Sequence, residues 1–149
     1  MSPVANVTLR TANETDAEAI RDLLERSGLP TGDLSTARPE FVLASSAGRI
    51  VGIGALERFG GEALLRSVAV EPRWRSAGVG RLLVGELECR ARAAGVSELI
   101  LLTLTAADFF RRLGYGTKDR ARVPAAVLDS AEFKSLCPAT AICMAKTLI

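Results

Sequence analysis

Hydrophobic residues in this chain recur with two different periods, and each change of period marks an element boundary. Residues 6–10 alternate and predict a first strand. Ile20, Leu23 and Leu24 share one helical face, after the capping box Thr15-Asp-Ala-Glu18 and before Gly28, which ends the helix. Residues 29–39 carry Pro, Gly, Asp, Ser and Thr and predict a loop with room for one helical turn. Residues 41–44 and 50–57 read as strands joined by a hairpin turn at 45–49, and Phe59-Gly-Gly-Glu62 turns the chain into a third, 63–70. Val79, Leu82, Leu83, Leu87 and Ala91 form the buried stripe of a long helix closed by Gly95. The wholly apolar run 99–102 follows that crossover and predicts a buried parallel strand. Thr105-Ala-Ala-Asp108 is a weaker cap for a helix bearing Phe109, Phe110 and Leu113, closed by Gly114. Residues 120–138 are rich in loop signals, with a short helix over 125–133, and 140–148 predict a closing strand. The pattern is that of one domain with a βαβ unit at its heart.

Composition narrows the class. A chain of 149 residues with 48% apolar content fits a single core, so residues 1–149 read as one domain. Nineteen basic and seventeen acidic residues give +2, a balance that calls for neither nucleic acid nor an anionic membrane. The amino end lacks a basic region followed by an apolar core, and no apolar run approaches the ~18 residues of a membrane span. Cys89, Cys137 and Cys143 make neither an even disulfide framework nor a metal-spaced pair, so reduced thiols in a cytoplasm, and no metal, are expected. Cys137 and Cys143 lie six apart, a spacing that leaves open a thiolate site for a metalloid beside the plainer role of buried structural cysteine. The chain contains no histidine, so proton transfer falls to carboxylates, tyrosine, backbone groups or water.

The chemistry concentrates in Val68-Ala-Val-Glu-Pro-Arg-Trp-Arg-Ser-Ala-Gly-Val-Gly-Arg-Leu-Leu, which runs from an apolar strand through a basic turn into the long helix. Glycines at a helix mouth let a ligand approach the backbone, and the first helical N–H groups attract phosphate oxygens. Arg73, Arg75 and Arg81 add charge at the same place, so the turn reads as an anion site suited to a pyrophosphate. A Walker loop needs Gly-Lys-Ser/Thr, which is absent. A dinucleotide fingerprint needs a third glycine, and Leu83 occupies its position.

Val-x-Val-x-Pro followed by Arg75-x-x-Gly78-x-Gly80 resembles the coenzyme A loop of the Gcn5-related N-acetyltransferase (GNAT) superfamily, and the resemblance spans about residues 7–148. It implies an α/β (α+β) fold with a mixed central sheet of six to seven strands, about four flanking helices and splayed central strands. It implies acetyl-CoA as acetyl donor and a small-molecule amine as acceptor. The backbone of Val68, Ala69 and Val70 would hold the pantetheine arm, and Arg75, Ser76, Ala77, Gly78, Val79, Gly80 and Arg81 the pyrophosphate. The Val68 amide would be the oxyanion donor. In many members a Phe-Tyr pair supplies the acid that protonates the leaving thiolate. Here the pair is Phe109-Phe110, so Phe110 borders the cofactor without that acid, and Tyr115 is expected to pack in the core.

The remaining candidates come from position. Glu57 and Glu62 flank the central strand pair and can take a proton from the amine, and Glu57, at the end of the glycine strand, is the stronger of the two. Arg66 lies two residues before Val68, where its N–H fork can hold an acceptor carboxylate or face solvent. Thr103 ends the buried strand where the central strands part, within reach of acceptor or arm. Gly52 and Gly54 leave one face of their strand bare, for packing, a bulge or a close ligand. Leu102-Thr-Leu-Thr-Ala-Ala-Asp-Phe-Phe-Arg-Arg-Leu-Gly-Tyr115 is similar to the amino-acid N-acetyltransferase branch. With Arg120-Ala-Arg-Val-Pro124 and Phe133-Lys-Ser-Leu-Cys-Pro138 the chain most resembles the arsenic-resistance-associated N-acetyltransferases. This implies an amino acid or a toxic amino-acid analogue as acceptor, and does not imply that arsenic is bound. A non-catalytic acyl-CoA-binding module of the same fold, a protein acetyltransferase, and a homodimer stay open at this level.

Overall fold

The computed structural model describes residues 6–148; the first residues of the amino end inspected above for a leader, 1–5, lie outside the described residues. Seven strands form one mixed sheet in the order β1-β2-β3-β4-β5-β7-β6. They are β1 (Thr8–Thr11), β2 (Glu40–Ser46), β3 (Arg49–Phe59), β4 (Glu62–Val70), β5 (Glu98–Thr103), β6 (Gly116–Thr117) and β7 (Ile142–Thr147). The helices are α1 (Ala17–Arg26), α2 (Leu34–Ala37), α3 (Val79–Ala93), α4 (Ala107–Arg112) and α5 (Ala125–Leu128). Among the described residues only β4 and β5 pair in parallel, joined by α3, so the expected βαβ unit is the centre of the sheet. Among the described residues no helix is long and apolar enough to cross a membrane.

Local chemistry explains most boundaries. The β2–β3 hairpin turns on Ala47 and Gly48, both at positive φ (52° and 77°), a two-residue geometry that matches strand twist. The start of α1 is set earlier than Thr15: Asn13 accepts from the Thr15 amide, and Asp16 accepts from the Asn13 amide, around a 3-10 turn at Glu14–Asp16. Arg10 binds the same Asp16 through two bonds of 2.8 Å and holds its carboxyl down at about 2. The start of α4 also differs from expectation. No side chain caps it: Ala106 holds the N-cap position, and Thr103 accepts from the Ala106 amide at 2.9 Å in the turn before it. The segment read as one helix over 125–133 divides into α5 and a π-helical turn, Glu132–Leu136. The two-residue strand β6 carries no periodicity and was not expected.

Helix α3 lies on one face of the sheet, and the glycines of β3 are the reason it can come so close. A Cβ on Gly52 would stand 2.9 Å from both Val79 and Leu83, and one on Gly54 2.7 Å from Leu87. These helix side chains therefore occupy the volume that β3 leaves bare, which gives both glycines a packing role, while the β3–β4 register also shifts at Gly54. Leu83 and Leu87 join Val42, Leu65, Leu99, Leu101 and Phe110 in the main core. On the opposite face α1 packs Ile20, Leu23 and Leu24 against Leu43, Ile53 and Ala69. Further along that face α5 and the π-helical turn cover Leu64, Ile100 and Cys143 with Val127 and Phe133.

Tyr115 is buried as expected, and its hydroxyl donates to Glu88 at 2.9 Å. Lys146 also reaches Glu88, with both contacts at 3.1 Å, so the carboxylate buried under α3 has two donors. Because Val79 is β-branched and cannot move aside easily, Gly52→Ala should destabilise the fold by about 1–3 kcal/mol through overpacking. Urea denaturation would measure it, and an unchanged midpoint would contradict the packing assigned to α3.

Candidate active site

Two irregularities of β4 build the site. Its parallel ladder with β5 pairs Glu62 with Glu98, Ala63 with Leu99 and Leu64 with Ile100, while β4 continues to Val70 and β5 to Thr103. Beyond Leu64 the strands part and expose an edge of β4. On the other side, Ala55 pairs with Arg66 and Ile53 with Ala69, so Gly54 alone faces both Ser67 and Val68. That is a β-bulge, and Ser67 occupies it at φ 60°, a left-handed conformation that a non-glycine residue adopts at a cost. The extra residue shifts the alternation. Leu65 before the bulge and Val68 and Val70 after it all pack with the α3 core. Val68 is thus displaced from both regular ladders at the point where the slot opens.

The slot leads to the mouth of α3. Gly78 precedes the helix at φ 91° and supplies no side-chain cap, and the Leu82 amide makes a bond to the Gly78 carbonyl at 3.1 Å. The amides of Val79, Gly80 and Arg81 therefore open outward with the partial positive charge of a 15-residue helix. The Arg75 and Ala77 amides are used differently, bonding the Pro72 and Trp74 carbonyls within the turn. Arg73, Arg75 and Arg81 are exposed around the mouth, and Arg75 Nε also donates to the Val70 carbonyl at 3.1 Å, tying the turn to the strand. Outward amides, a glycine at the cap position and three cations fit a diphosphate. Phe109 borders this region, since a Cβ on Gly80 would meet its ring at 3.2 Å. Phe110, only 6% exposed, stacks edge-on to Phe109 and Tyr115 in the core.

Arg66 faces the other way. It points to the side of the sheet opposite α3 and is buried, and it gathers three carboxylates from distant parts of the chain. Asp33, just before α2, takes both terminal nitrogens at 2.6 and 2.7 Å. Glu57 of β3 accepts from Nη1 at 2.9 Å. Glu132 of the π-helical turn places Oε2 2.9 Å from Nε. Burial acts to lower the guanidinium's pKa, but Asp33, Glu132 and Glu57 outweigh it and leave the pKa raised. Arg66 thus neither faces solvent nor offers a free fork to an acceptor carboxylate. Thr103 accepts from the Ala106 amide and keeps a hydroxyl proton to give. Glu62 opens β4 six residues before Val68, about 20 Å along an extended strand.

Glu132 is the most perturbed of the acids. Burial pushes its carboxyl up to about 7, against the pull of Arg66 and a long hydrogen bond from the Cys137 thiol (3.7 Å), with Asp33 and Glu57 adding to the rise. Burial and the same carboxylate push the Cys137 thiol up to about 12. Asp33 and Glu132 stand in loop-rich stretches whose pattern does not mark them as partners of Arg66. One signal pointed their way, because an arginine inside an apolar strand requires buried counter-charge, but it does not say from where.

A bulged strand parted from its parallel neighbour, leading into a bare, cationic helix mouth, defines an acyl-CoA-binding α/β protein. Sequence and structure comparisons agree. Residues 37–117 match the acetyltransferase (GNAT) domain family. The uncharacterized N-acetyltransferase CT2212 of Chlorobaculum tepidum is 32% identical over 123 residues, 76% of this chain and 77% of its own. An amino-acid acetyltransferase of Pseudomonas fluorescens is 35% identical over 91 residues, 58% of this chain but only 21% of that much longer relative. The crystal structure of Rv2747 from Mycobacterium tuberculosis in complex with CoA superposes with a TM-score of 0.82 and 28% identity, covering 95% of this chain and 99% of that one. The chain belongs to the GNAT acetyltransferase family. It is an acetyltransferase, and acetyl-CoA is its acetyl donor.

Removing the cation from the buried cluster would leave three carboxylates unpaired. Arg66→Met should cost about 3–5 kcal/mol at neutral pH, read by denaturant titration. The Glu132 carboxyl, raised from 4.5 to about 7, gives stability that is complete below about pH 4.5 and lost as pH rises through 7. That loss should reach at most roughly 3 kcal/mol and be absent from Glu132→Gln. Parallel pH profiles of the two proteins would contradict the assignment.

Proposed function

We propose that this enzyme moves the acetyl group of acetyl-CoA to the amine of a small molecule, an amino acid or a toxic amino-acid analogue. The observation that carries the reading is the exposed edge of β4 running from the Val68 bulge into the mouth of α3. The backbone of Val68, Ala69 and Val70 would hold the pantetheine arm. The outward amides of Val79, Gly80 and Arg81, in the turn shaped by Ser76, Ala77 and Gly78, would hold the diphosphate beside the Arg75 and Arg81 side chains. When bound, the donor supplies an acetyl group on a sulfur leaving group.

The chain's own part is to position and to stabilise charge. The Val68 amide is the candidate donor to the carbonyl oxygen as it gains negative charge, a role worth roughly 3–4 kcal/mol where one such donor has been removed. Phe110 has no proton to give, but an alkyl thiol of pKa about 8.5 leaves adequately as an anion. The amine must shed a proton before it can attack, and the carboxylates around Arg66, Glu57 first among those singled out from sequence, are the groups at hand. Arg66 and Thr103 border the acceptor space, Arg66 by fixing these carboxylates and Thr103 through its hydroxyl proton.

An amino-acid acceptor is supported by the likeness to the Pseudomonas fluorescens relative and by the motifs from Leu102 to Tyr115. The motifs at 120–124 and 133–138 support the narrower reading, an arsenic-resistance enzyme acting on a toxic analogue. Calorimetric titration with acetyl-CoA and with free CoA should give saturable, micromolar binding. The exposed Arg75 and Arg81, mutated singly to alanine, should each weaken it about tenfold, in line with the ~1.4 kcal/mol that a charge-assisted hydrogen bond is worth. Thiol release with the twenty amino acids and arsenic-containing analogues would then identify the acceptor. No binding at millimolar acetyl-CoA would overturn the assigned loop.

A further inference from the structure

The cluster around Arg66 is unbalanced in two ways that have the same remedy. One guanidinium faces three carboxylates, two buried and one part-buried: Asp33 at 6% side-chain exposure, Glu132 at 6% and Glu57 at 12%. The hydrogen bonds are unequal as well. Arg66 gives Nη1 and Nη2 to Asp33 and Nη1 also to Glu57. Its Nε carries a single hydrogen, which goes to the Ser67 hydroxyl at 3.3 Å. Glu132 Oε2 therefore lies 2.9 Å from Nε without receiving a hydrogen from it, and it is a buried side-chain oxygen with no hydrogen-bond partner. A buried carboxylate oxygen in that condition is costly, and the group that would satisfy it is a cation bearing N–H donors.

We propose that Glu132 is the residue that receives the acceptor's ammonium group and takes its proton before acetyl transfer. This rests on the small-amine reading above and deepens it, replacing Glu57 as proton acceptor. Glu57 is the less available group because its Oε1 is already held by the guanidinium at 2.9 Å and its carboxylate is only part-buried, within reach of water. Glu132 has a free oxygen, and burial raises its affinity for a proton into the range where a base is both deprotonated and effective near neutrality. The transfer balances simply. An N–H bond of the ammonium breaks, an O–H bond forms at Glu132 Oε2, and the nitrogen keeps the electron pair with which it attacks. Arg66 and Ser67 fix the place, since Ser67 sits in the bulge next to Val68, so proton acceptor and candidate oxyanion donor meet across three consecutive residues of β4.

The groups facing Glu132 are Arg66 from β4, Glu57 from β3, Asp33 before α2, and Cys137 from its own turn, with Arg120 stacked on the adjacent Phe133 ring at 5.7 Å. Cys137 keeps its proton through neutrality, so its thiol does not titrate beside Glu132 near pH 7.

The test uses the full chain with CoA bound and glutamate side chains labelled with 13C at the carboxyl. One carboxyl resonance should titrate near pH 7 and be missing from Glu132→Gln. Ethylammonium chloride should move that resonance and lower its midpoint, while tetramethylammonium, which has no N–H to donate, should leave it in place. With a turned-over amine, Glu132→Gln should lose at least about 100-fold in kcat and the rising limb of the pH profile, while its affinity for CoA is unchanged. A Glu132 resonance indifferent to ethylammonium, or a pH limb that survives Glu132→Gln and vanishes in Glu57→Gln, would overturn the proposal. Both results differ from a failure of the acetyltransferase loop, which would show as loss of CoA binding in the unmutated protein.

Discussion

One buried guanidinium holds together the part of this protein where the acceptor would enter. Arg66 occupies an interior strand position that an apolar residue would fill more cheaply, and it draws Asp33, Glu57 and Glu132 onto one side chain. Each carboxylate comes from a different segment: the loop before α2, strand β3, and the π-helical turn ahead of β7. Without the cation these segments would repel one another in a medium of low dielectric, and with it they form a wall over the sheet face opposite α3. The arrangement still carries more negative than positive charge, which suits a site meant for a cation.

The donor side depends on backbone instead of charge pairs. The bulge at Ser67 and the early end of the β4–β5 ladder displace Val68 from the regular hydrogen-bonding pattern. Both need α3 to lie close, because that helix anchors β3 and β4 from the other face and carries the diphosphate-facing mouth at its start. The bare positions Gly52 and Gly54 make that closeness possible. Two glycines in one strand and two around the start of the helix thus serve one purpose, a short path from the sheet edge to the helix N-terminus. In the proposed reading the two faces of the sheet are divided between donor and acceptor, and β4 is the element they share.

Most of the framework was legible along the chain. The strand at 63–70 after its glycine turn, the stripe of α3 and the unbroken apolar run 99–102 set out the βαβ unit, since a helical stripe and a doubly buried strand leave distinct patterns. The Arg75-x-x-Gly78-x-Gly80 turn was equally visible, because a helix mouth is a local structure whose residues are neighbours in sequence. Local competition was harder to read. Asn13 took the capping role expected of Thr15, and α4 begins without the side-chain cap expected from Thr105, since a cap is chosen by which side chain meets the free amide and not by composition alone. The strand β6 could not be seen, as two residues carry no period.

The sequence by itself determined the fold class, the glycine turn at the mouth of α3 and the absence of a tyrosine at position 110. Only the tertiary structure decided what Arg66 does. Its partners stand 33 residues before it, nine before it and 66 after it, separations at which no pattern links one carboxylate to another. Charge pairing in a buried site is settled by which groups lose water together, and that is a property of the packed molecule. The sequence supplied seventeen acidic residues, and the fold selected three of them to share one cation.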